Sequence, residues 1–396
     1  MKILMVSSYL PYPLFSGGHI RLYNIIKDLY KNNQITLICE KRTYQNEKDI
    51  AEVRKFCKEI ITVDRNKQWT LKNIFRTGFS KYPFLVTGHT HSQMKIVIKK
   101  ILKKEKFDLI HVETFYVMQN LPNEISIAVS LTEHNIEYLV YKRFRDKAPF
   151  YIKPLLDIDI LKLKKIEEGN WRKADVAIAV SFEDKKVIEN VNDRVFIVPN
   201  GVDMQEFKIQ NSKFKIDRRE RTVLFIGDFS WVENRDAARA VLRDIWPKIR
   251  SNIKNQKVKL WIVGRKIPAS IKKLGTDGVV FDENALSNTS IIYEKADLLL
   301  APIRMGGGTS FKILEAMASG VAVVTTRLGA IGIGAENRKE VIIADDNQKL
   351  ADSVIEVLNN KNLYDKITKN ARSLIEEKYN WENITKELEK VYQSVV

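Results

Sequence analysis

Cysteine and long apolar runs are scarce in this chain of 396 residues. The two cysteines, Cys39 and Cys57, form no disulfide framework and share no metal-ligand spacing, which favours a reducing compartment such as the cytoplasm. No apolar stretch reaches the roughly 20 residues that a membrane-spanning helix needs. The opening run Met1–Val6 is too short for a secretory signal, and no small-residue cleavage pattern follows it. We therefore expect a folded cytoplasmic protein that does not span a membrane.

Several ligand-binding motifs are also missing. No G-x-G-x-x-G follows the first predicted strand and no G-K-S/T occurs, which argues against a dinucleotide enzyme and excludes a P-loop NTPase. His89 and His91 are the only close pair of histidines, and no third metal ligand lies near them in the sequence. We expect neither a bound metal ion nor a cofactor.

Positive charge is plentiful and unevenly distributed. The net charge is +17, and residues 1–100 hold 18 Lys and Arg against 7 Asp and Glu, an excess of 11. Such an excess indicates either a solvated lysine-rich face or an anionic partner. Nucleic acid is disfavoured because no nucleic-acid-binding motif occurs and aromatic residues do not alternate with the basic ones. An anionic membrane surface fits better.

The segment Met94–Lys106 is a candidate for that membrane contact. Its apolar residues Met94, Ile98, Ile101 and Leu102 share one helical face, and lysines occupy the rest. We expect this apolar stripe to pack on a sheet in the first place and to contact a membrane in the second. The two interpretations are compatible.

Short β-branched runs alternate with helical stretches along the whole chain, which is typical of parallel sheets covered by helices. The sequence predicts an α/β protein with two doubly wound, Rossmann-like domains that face a cleft, and ligands at the carboxyl ends of the strands. The predicted divisions are an N-terminal domain over 1–205, a second domain over 206–375, and a C-terminal helical segment over 376–396 that crosses back to the first. The polar stretch 208–221 is the predicted linker.

The segment from Gly306 to Glu315 is the strongest candidate site. A predicted strand is followed by three glycines, a Thr-Ser pair and then a segment rich in helix-forming residues. Glycines let backbone amides approach a ligand, and a helix N-terminus favours phosphate. Lys312 in the first turn would suit a bound anion, and the two oxygens of Glu315 would suit a vicinal diol such as ribose. The alternative is an ordinary turn with a capped helix, although Glu315 has the wrong spacing for a capping box.

Nine segments, in this order and spacing, resemble the GT-B-fold retaining glycosyltransferases of family 4 (glycosyl transferases group 1), of the bacterial polysaccharide and glycolipid type. They are Gly17-Gly18, Thr132–Asn135, Ala174–Ser181, Val198–Asp203, Ile226-Gly227, Ile262–Arg265, Ala296–Pro302, Lys312–Ala318 and Gly320–Thr325. The resemblance covers nearly the whole chain. It implies transfer of a sugar from a nucleoside-diphosphate donor to a hydroxyl of a glycan or lipid-linked acceptor, with retention of configuration and without a metal ion.

The resemblance also implies roles for individual residues. His134 would contact the transferred sugar, while Arg265 and Lys312 would neutralise the departing diphosphate. The implied donor-binding residues are Gly17, Gly18, Asn234, Gly308, Thr309, Ser310, Phe311 and Glu315. Backbone amides of Ser310 and Phe311 would bind phosphate. The acceptor would lie on the basic N-terminal domain, at the inner face of the cell membrane.

One position departs from the family pattern. The family usually has a glutamate eight residues before the ribose-binding one, and here that position is Gly307. Sugar recognition must then rest on other residues. The missing glutamate leaves open a non-catalytic partner of the same fold in polysaccharide assembly, which binds donor weakly or not at all. The architecture also leaves open a nucleotide-sugar epimerase, which releases free sugar without an acceptor.

Overall fold

The computed structural model describes residues 1–146, 148–207, 220–253, 257–284, 289–305 and 309–396. It divides into two compact units: the first unit is Met1–Pro199 together with Trp381–Val396, and the second unit is Asn200–Asn380. The division falls after Pro199, earlier than the predicted boundary at residue 205. The predicted linker lies outside the described residues as far as residue 219. The three glycines at 306–308 also lie outside them.

The first unit is built on a parallel sheet of seven strands within the described residues. The strands are β1 Lys2–Ser7, β2 Gln34–Lys41, β3 Glu59–Asp64, β4 Leu109–Glu113, β5 Ala128–Glu133, β6 Val176–Ala179 and β7 Val195–Ile197. Their spatial order is β3-β2-β1-β4-β5-β6-β7. Residues 3–7 of β1 and the whole of β4 are buried, which is expected when helices cover both faces of a parallel sheet.

Helices connect these strands. They are α1 Gly17–Leu29, α2 Glu47–Arg54, α3 Leu71–Phe79, α4 Phe84–Thr87, α5 Ser92–Lys104, α6 Glu137–Asp146, α7 Lys153–Lys173 and α8 Phe182–Ile188. Side chains at their starts support several of them. Asn46 forms a capping box with Asp49 at α2, and Ser181 accepts from the backbone N–H of Asp184 at α8.

Helix α5 contains the amphipathic stripe that the sequence placed either on a sheet or on a membrane. Met94, Ile98 and Ile101 are buried in the core of the first unit, and Leu102 packs against that core. The stripe is therefore covered by protein. Membrane contact through this face of α5 is excluded because its apolar side chains are already used for packing.

The second unit has a parallel sheet of six strands within its described ranges. The strands are β8 Glu220–Ile226, β9 Lys257–Val263, β10 Val279–Asp282, β11 Leu298–Ala301, β12 Ala322–Thr325 and β13 Ile342–Ile343. Their order is β10-β9-β8-β11-β12-β13, the same winding as in the first six strands of the other sheet. The prediction of an α/β protein with two doubly wound units is confirmed.

The helices of the second unit are α9 Val232–Ala240, α10 Trp246–Asn252, α11 Ala269–Lys272, α12 Ser290–Glu294, α13 Phe311–Ala318, α14 Arg327–Ala330, α15 Asn347–Asn359 and α16 Lys361–Lys378. A π-helical turn, Val241–Ile245, joins α9 to α10. Helix α16 stays with this unit because Ala371, Ile375 and the following Tyr379 are buried in its core. The segment assigned to the first unit therefore starts at Trp381, not at residue 376.

The last helix, α17 Trp381–Gln393, belongs to the first unit. Leu388 and Tyr392 on this helix are fully buried, and the side-chain amide of Asn33 donates to Glu389 at 2.6 Å. In the part of the chain that the structure describes, no helix combines the length and the apolar character that crossing a membrane requires.

Candidate functional site

A pocket of about 200 Å³ lies within the second unit, beside the carboxyl ends of β8 and β11. Ligands of doubly wound sheets bind at this edge. Its lining residues are Phe225, Glu233, Asn234, Ala237, Ala301, Pro302, Ile303, Met305, Ser310, Lys312, Leu328 and Gly329. Three of the predicted site residues therefore line one pocket: Asn234, Ser310 and Lys312.

Lys312 is the cation of this pocket. It is half-buried in the first turn of α13, and its Nζ donates to Oδ1 of Asn234 at 2.8 Å. Removal of the ammonium group from water lowers its pKa to about 8, although the acidic groups of Glu233 and Glu315 oppose that effect. Lys312 is therefore largely charged at neutral pH, and its hydrogen-bond partner Asn234 is neutral.

Asn234 is positioned by the turn that follows β8. Its side-chain amide donates to the backbone carbonyl of Asp228 at 2.9 Å. Gly227 permits this close approach, because a Cβ at position 227 would lie 2.8 Å from Cγ of Asn234. Both polar ends of Asn234 are thus used inside the site, one toward the turn and one toward Lys312.

Arg265 follows β9 and pairs with Asp228. Its guanidinium donates to Oδ2 of Asp228 at 2.6 Å, and the backbone N–H of Ser230 donates to the other carboxylate oxygen at 2.8 Å. Burial raises the pKa of Asp228, but these hydrogen bonds and the charge of Arg265 outweigh it and hold that pKa below its ordinary value. Arg265 is therefore joined through Asp228 and Asn234 to Lys312. Its own charge is balanced by a carboxylate.

Glu315 lies on the same helix as Lys312, outside the residues that line the pocket. Its carboxylate accepts from the hydroxyl of Thr289 at 3.2 Å. Burial raises the pKa of Glu315 to about 7, and Glu206 adds to that rise, while Tyr293, Thr289 and Lys312 oppose it. A carboxyl group with this pKa is partly protonated at neutral pH, so it can both donate and accept hydrogen bonds.

The start of α13 has the features of an anion site. Ser310 is the residue before the helix, its side chain makes no capping hydrogen bond, and the first turn contains no acidic residue. The first turn therefore has no carboxylate of its own to oppose a bound anion, although the backbone N–H of Ile313 already donates to the carbonyl of Ser310 at 3.1 Å. Thr309 is buried, and its hydroxyl donates to the carbonyl of Gly332 at 3.4 Å. Phe311 is the first residue of the helix. Gly308 lies outside the described residues.

The other predicted residues lie in the first unit, around His134. Nε2 of His134 lies 2.5 Å from Glu113, and Nε2 of His111 lies 2.7 Å from the second oxygen of the same carboxylate. Burial raises the pKa of Glu113, but the two histidines outweigh it and hold that pKa well below its ordinary range. Glu113 is therefore an ionised acceptor, and both Nε2 atoms donate to it. Tyr392 extends the network, with its hydroxyl 2.8 Å from Nδ1 of His111.

Gly17 and Gly18 are the first two residues of α1, directly after Ser16. A Cβ at position 18 would lie 3.0 Å from the hydroxyl oxygen of Tyr9 and 3.3 Å from Cε1 of His134. Gly18 and His134 are therefore neighbours, and the glycine leaves room for the histidine ring. They are far apart in the sequence, and the fold of the first unit brings them together.

Sequence reasoning missed Asp228, Glu113, His111 and Tyr392. One signal was available for two of them. Residues 111 and 113 are two apart on β4, so their side chains share one face of the sheet, where a buried His-Glu pair is unusual. The sequence contains no comparable sign for Tyr392, because its partner is 281 positions away.

Comparisons with known proteins match both units to glycosyltransferase families. The family model described as Glycosyltransferase Family 4 matches residues 15–206, and the model described as Glycosyl transferases group 1 matches residues 220–360. Together the two matches cover most of both units. The fold and the matches define a glycosyltransferase of the GT-B type.

Individual proteins are also similar to this chain in sequence or in structure. An uncharacterised 44.6 kDa protein in the cps region of Klebsiella pneumoniae is 24% identical over 393 residues, 96% of each chain. Phosphatidyl-myo-inositol mannosyltransferase of Mycobacterium tuberculosis is 25% identical over 316 residues, 75% of this chain and 76% of that one. The structure of Anabaena Alr3699/HepE in complex with UDP and glucose superposes with a TM-score of 0.65 at 14% identity and full coverage of both chains. The chain belongs to the group 1, family 4-like glycosyltransferases with the GT-B fold.

Proposed function

We propose that this glycosyltransferase moves a sugar from a nucleoside-diphosphate donor to a hydroxyl of a glycan or lipid-linked acceptor, and that the anomeric configuration is retained. The pocket of the second unit would hold the donor diphosphate, and the first unit would hold the acceptor. The observation that carries this proposal is Lys312, a half-buried cation at the start of a helix whose hydrogen-bond partner, Asn234, is neutral.

The chemistry of the leaving group supports these roles. Negative charge grows on the diphosphate as the sugar–oxygen bond breaks, and fixed donors lower the energy of that state. Lys312 and the amides at the start of α13 provide such donors. Arg265 would contribute less charge than its residue type suggests, since Asp228 already balances it. These donors would stabilise the leaving diphosphate without a metal ion.

In the first unit His134 would contact the transferred sugar. Glu113 accepts from its Nε2, so the orientation of the ring is fixed and the donating nitrogen is determined. No residue is assigned as a nucleophile. Retention would follow from attack of the acceptor hydroxyl on the face that the diphosphate leaves, with a phosphate oxygen taking the proton.

The related proteins suggest which substrates to test first. Alr3699/HepE was crystallised with UDP and glucose, so UDP-sugars are the first donors. The mycobacterial relative is named for phosphatidyl-myo-inositol, and the Klebsiella relative for a cps region, so lipid-linked and capsular-type glycans are the first acceptors.

The decisive experiment is calorimetric titration with UDP-, GDP-, ADP- and dTDP-sugars, followed by product analysis with and without an acceptor extract. Transfer to an acceptor with retained configuration supports the proposal. Release of free sugar without acceptor indicates an epimerase, and absence of donor binding indicates a non-catalytic partner. Activity that chelation with EDTA removes would contradict the proposed independence of metal.

A further inference from the structure

Helix α3 of the first unit exposes an apolar face. Leu71, Phe75 and Phe79 are 82%, 69% and 87% exposed, and they lie at spacings of four residues on one side of the helix. Ile74 on the same side is also exposed. Large apolar side chains grouped in this way mark an interaction surface.

The polar face of α3 is turned toward the protein. Asn73 is buried, and its side-chain amide donates to the carbonyls of Lys67 and Gln68 at 2.9 and 3.0 Å. The hydroxyl of Thr77 donates to the carbonyl of Asn73 and lies 3.4 Å from the hydroxyl of Thr87. A surface helix normally buries its apolar face and exposes its polar one. Here the arrangement is reversed, so the apolar face is not used by the core of this unit.

Helix α7 extends this apolar region. Its Lys162 donates to the carbonyl of Thr77 at 2.6 Å, and its Asp159 accepts from the backbone N–H of Phe84 at 2.9 Å, so α7 lies against the segment that contains α3. Exposed apolar residues occur on both. We call the following set the apolar surface: Trp69, Leu71, Phe75, Phe79, Leu155, Ile158 and Leu161.

The charge around α3 has one sign. Residues 65–84 contain five basic residues and no acidic one. Lys67, Arg76 and Lys81 are exposed. Aromatic and aliphatic side chains beside Lys and Arg, on a helix too short to span a bilayer, are typical of a helix that lies in a lipid interface.

We propose that the apolar surface docks on an anionic lipid bilayer, with Trp69 and the outer face of α3 in the headgroup layer. A bilayer is favoured over a protein partner because the segment 65–84 that contains α3 is basic and has no acidic residue, which complements anionic headgroups. The segment 65–84 contributes five of the 18 Lys and Arg in residues 1–100, and α3 replaces α5 as the membrane-contacting element. Docking does not depend on the proposed transfer reaction, so the two can be tested separately.

The test is flotation of the full-length protein with vesicles of phosphatidylcholine alone and of phosphatidylcholine mixed with phosphatidylglycerol. We expect flotation with the mixed vesicles. The double variant Phe75→Ser/Phe79→Ser should lose at least about tenfold in vesicle affinity, because two aromatic side chains no longer leave water on binding. Ile96→Ser is the matched control: Ile96 is an exposed apolar residue on α5 of the same unit, and its replacement should leave flotation unchanged.

Two further measurements separate docking from misfolding. Arg76→Gln/Lys81→Gln should weaken binding to the mixed vesicles by about fivefold for each charge removed. Mixed vesicles should also shift the tryptophan fluorescence of the wild type to shorter wavelength, and Trp69→Phe should remove that shift. Circular dichroism and thermal melting of every variant should match the wild type, since all the replaced side chains are exposed.

Flotation that is insensitive to Phe75→Ser/Phe79→Ser overturns the proposal. So does equal binding to neutral and anionic vesicles. A wild-type dimer in light scattering that the double variant dissociates, without vesicle binding by either, would show that a second copy of the chain covers the apolar surface instead.

Discussion

Nζ of Lys312 lies 2.8 Å from Oδ1 of Asn234, so the cation of the second-unit pocket is held by a neutral amide. Asn234 in turn donates to the backbone carbonyl of Asp228, whose carboxylate pairs with Arg265. The arrangement orients the ammonium group. Glu233 and Glu315 favour its charged form, but burial outweighs them and lowers its pKa to about 8, so an anionic ligand would stabilise that charge further.

Replacement of Lys312 separates a binding role from a structural one. Lys312→Met should lower donor affinity at least about tenfold, which corresponds to about 1.4 kcal/mol. The free energy of unfolding should change by less than about 1 kcal/mol, because removing a partly desolvated charge offsets the lost hydrogen bond. Calorimetry and urea denaturation measure the two quantities.

The matched control is Lys349→Met, since Lys349 is a lysine of the same unit whose side chain is 77% exposed. It should leave both quantities unchanged. Equal loss of donor affinity in the two variants would remove Lys312 from the site.

Donor affinity should be highest near neutral pH and fall on both sides, which gives the pH profile an acid limb and an alkaline limb. Lys312, with a pKa of about 8, loses its charge as the pH rises through that value, so affinity falls on the alkaline side. Glu315, with a pKa of about 7, becomes a carboxylate as the pH rises through 7, so affinity for the ribose hydroxyls falls on the acid side. Titration calorimetry across this range measures both limbs. Glu315→Gln should abolish the acid limb and keep the alkaline one; an unchanged acid limb would exclude Glu315.

The same two groups should also make the free energy of unfolding depend on pH. For each group, the sign of this dependence is opposite to that of donor affinity. Lys312 has a folded pKa below its ordinary 10.5, so the unfolded chain binds more protons between about 8 and 10.5 and stability rises with pH there. Glu315 has a folded pKa above its ordinary 4.5, so stability falls as the pH rises from 4.5 to about 7. Urea denaturation at several pH values, with Lys312→Met and Glu315→Gln as references, tests both signs.

Glu113 should act as a positioning residue for His134. Glu113→Gln should reduce kcat by about a hundredfold, because the ring of His134 loses its orientation. Donor binding by the second unit should be unaffected. Tyr392→Phe, at the far end of the network, is the milder variant and should cost about 1 kcal/mol of stability with a smaller loss of kcat. A fall in donor affinity equal to the fall in kcat would indicate general unfolding instead.

Gly18→Ala tests the close packing beside His134. Alanine normally stabilises a helix relative to glycine by about 0.5–1 kcal/mol. At position 18 the added Cβ would press on Tyr9 and His134, so kcat should fall while the melting temperature changes little. Gly169→Ala on α7 is the control, because nothing lies within 4 Å of the added Cβ. It should raise the melting temperature and leave kcat unchanged; a similar loss of kcat at both positions would contradict the packing argument.

The local pattern of apolar and polar residues was sufficient to predict most of the strands and helices. The alternation of strands and helices that the sequence predicts is found in both units, since β-branched runs have a period and length that differ from those of helices. The helix after the glycine turn was predicted with Lys312 in its first turn, and it begins at Phe311. The domain boundary lies earlier than predicted: Val202, which the sequence placed with the first domain, is buried in the core of the second unit, and its backbone N–H donates to the carbonyl of Tyr379 at 2.7 Å.

Contacts between distant segments determine the partners of the site residues and which helix faces are buried, and the local sequence pattern does not predict either. The glycine turn drew attention to Lys312, and the resemblance to a known family implied roles for Asn234 and His134, but neither revealed the side chains that orient these residues. Asp228, Glu113 and Tyr392 act through contacts between segments that are distant in the chain, and no local periodicity encodes such contacts. The amphipathic pattern is the clearest case. It is present in both α3 and α5, and only tertiary packing determines that the apolar face is buried in α5 and exposed in α3.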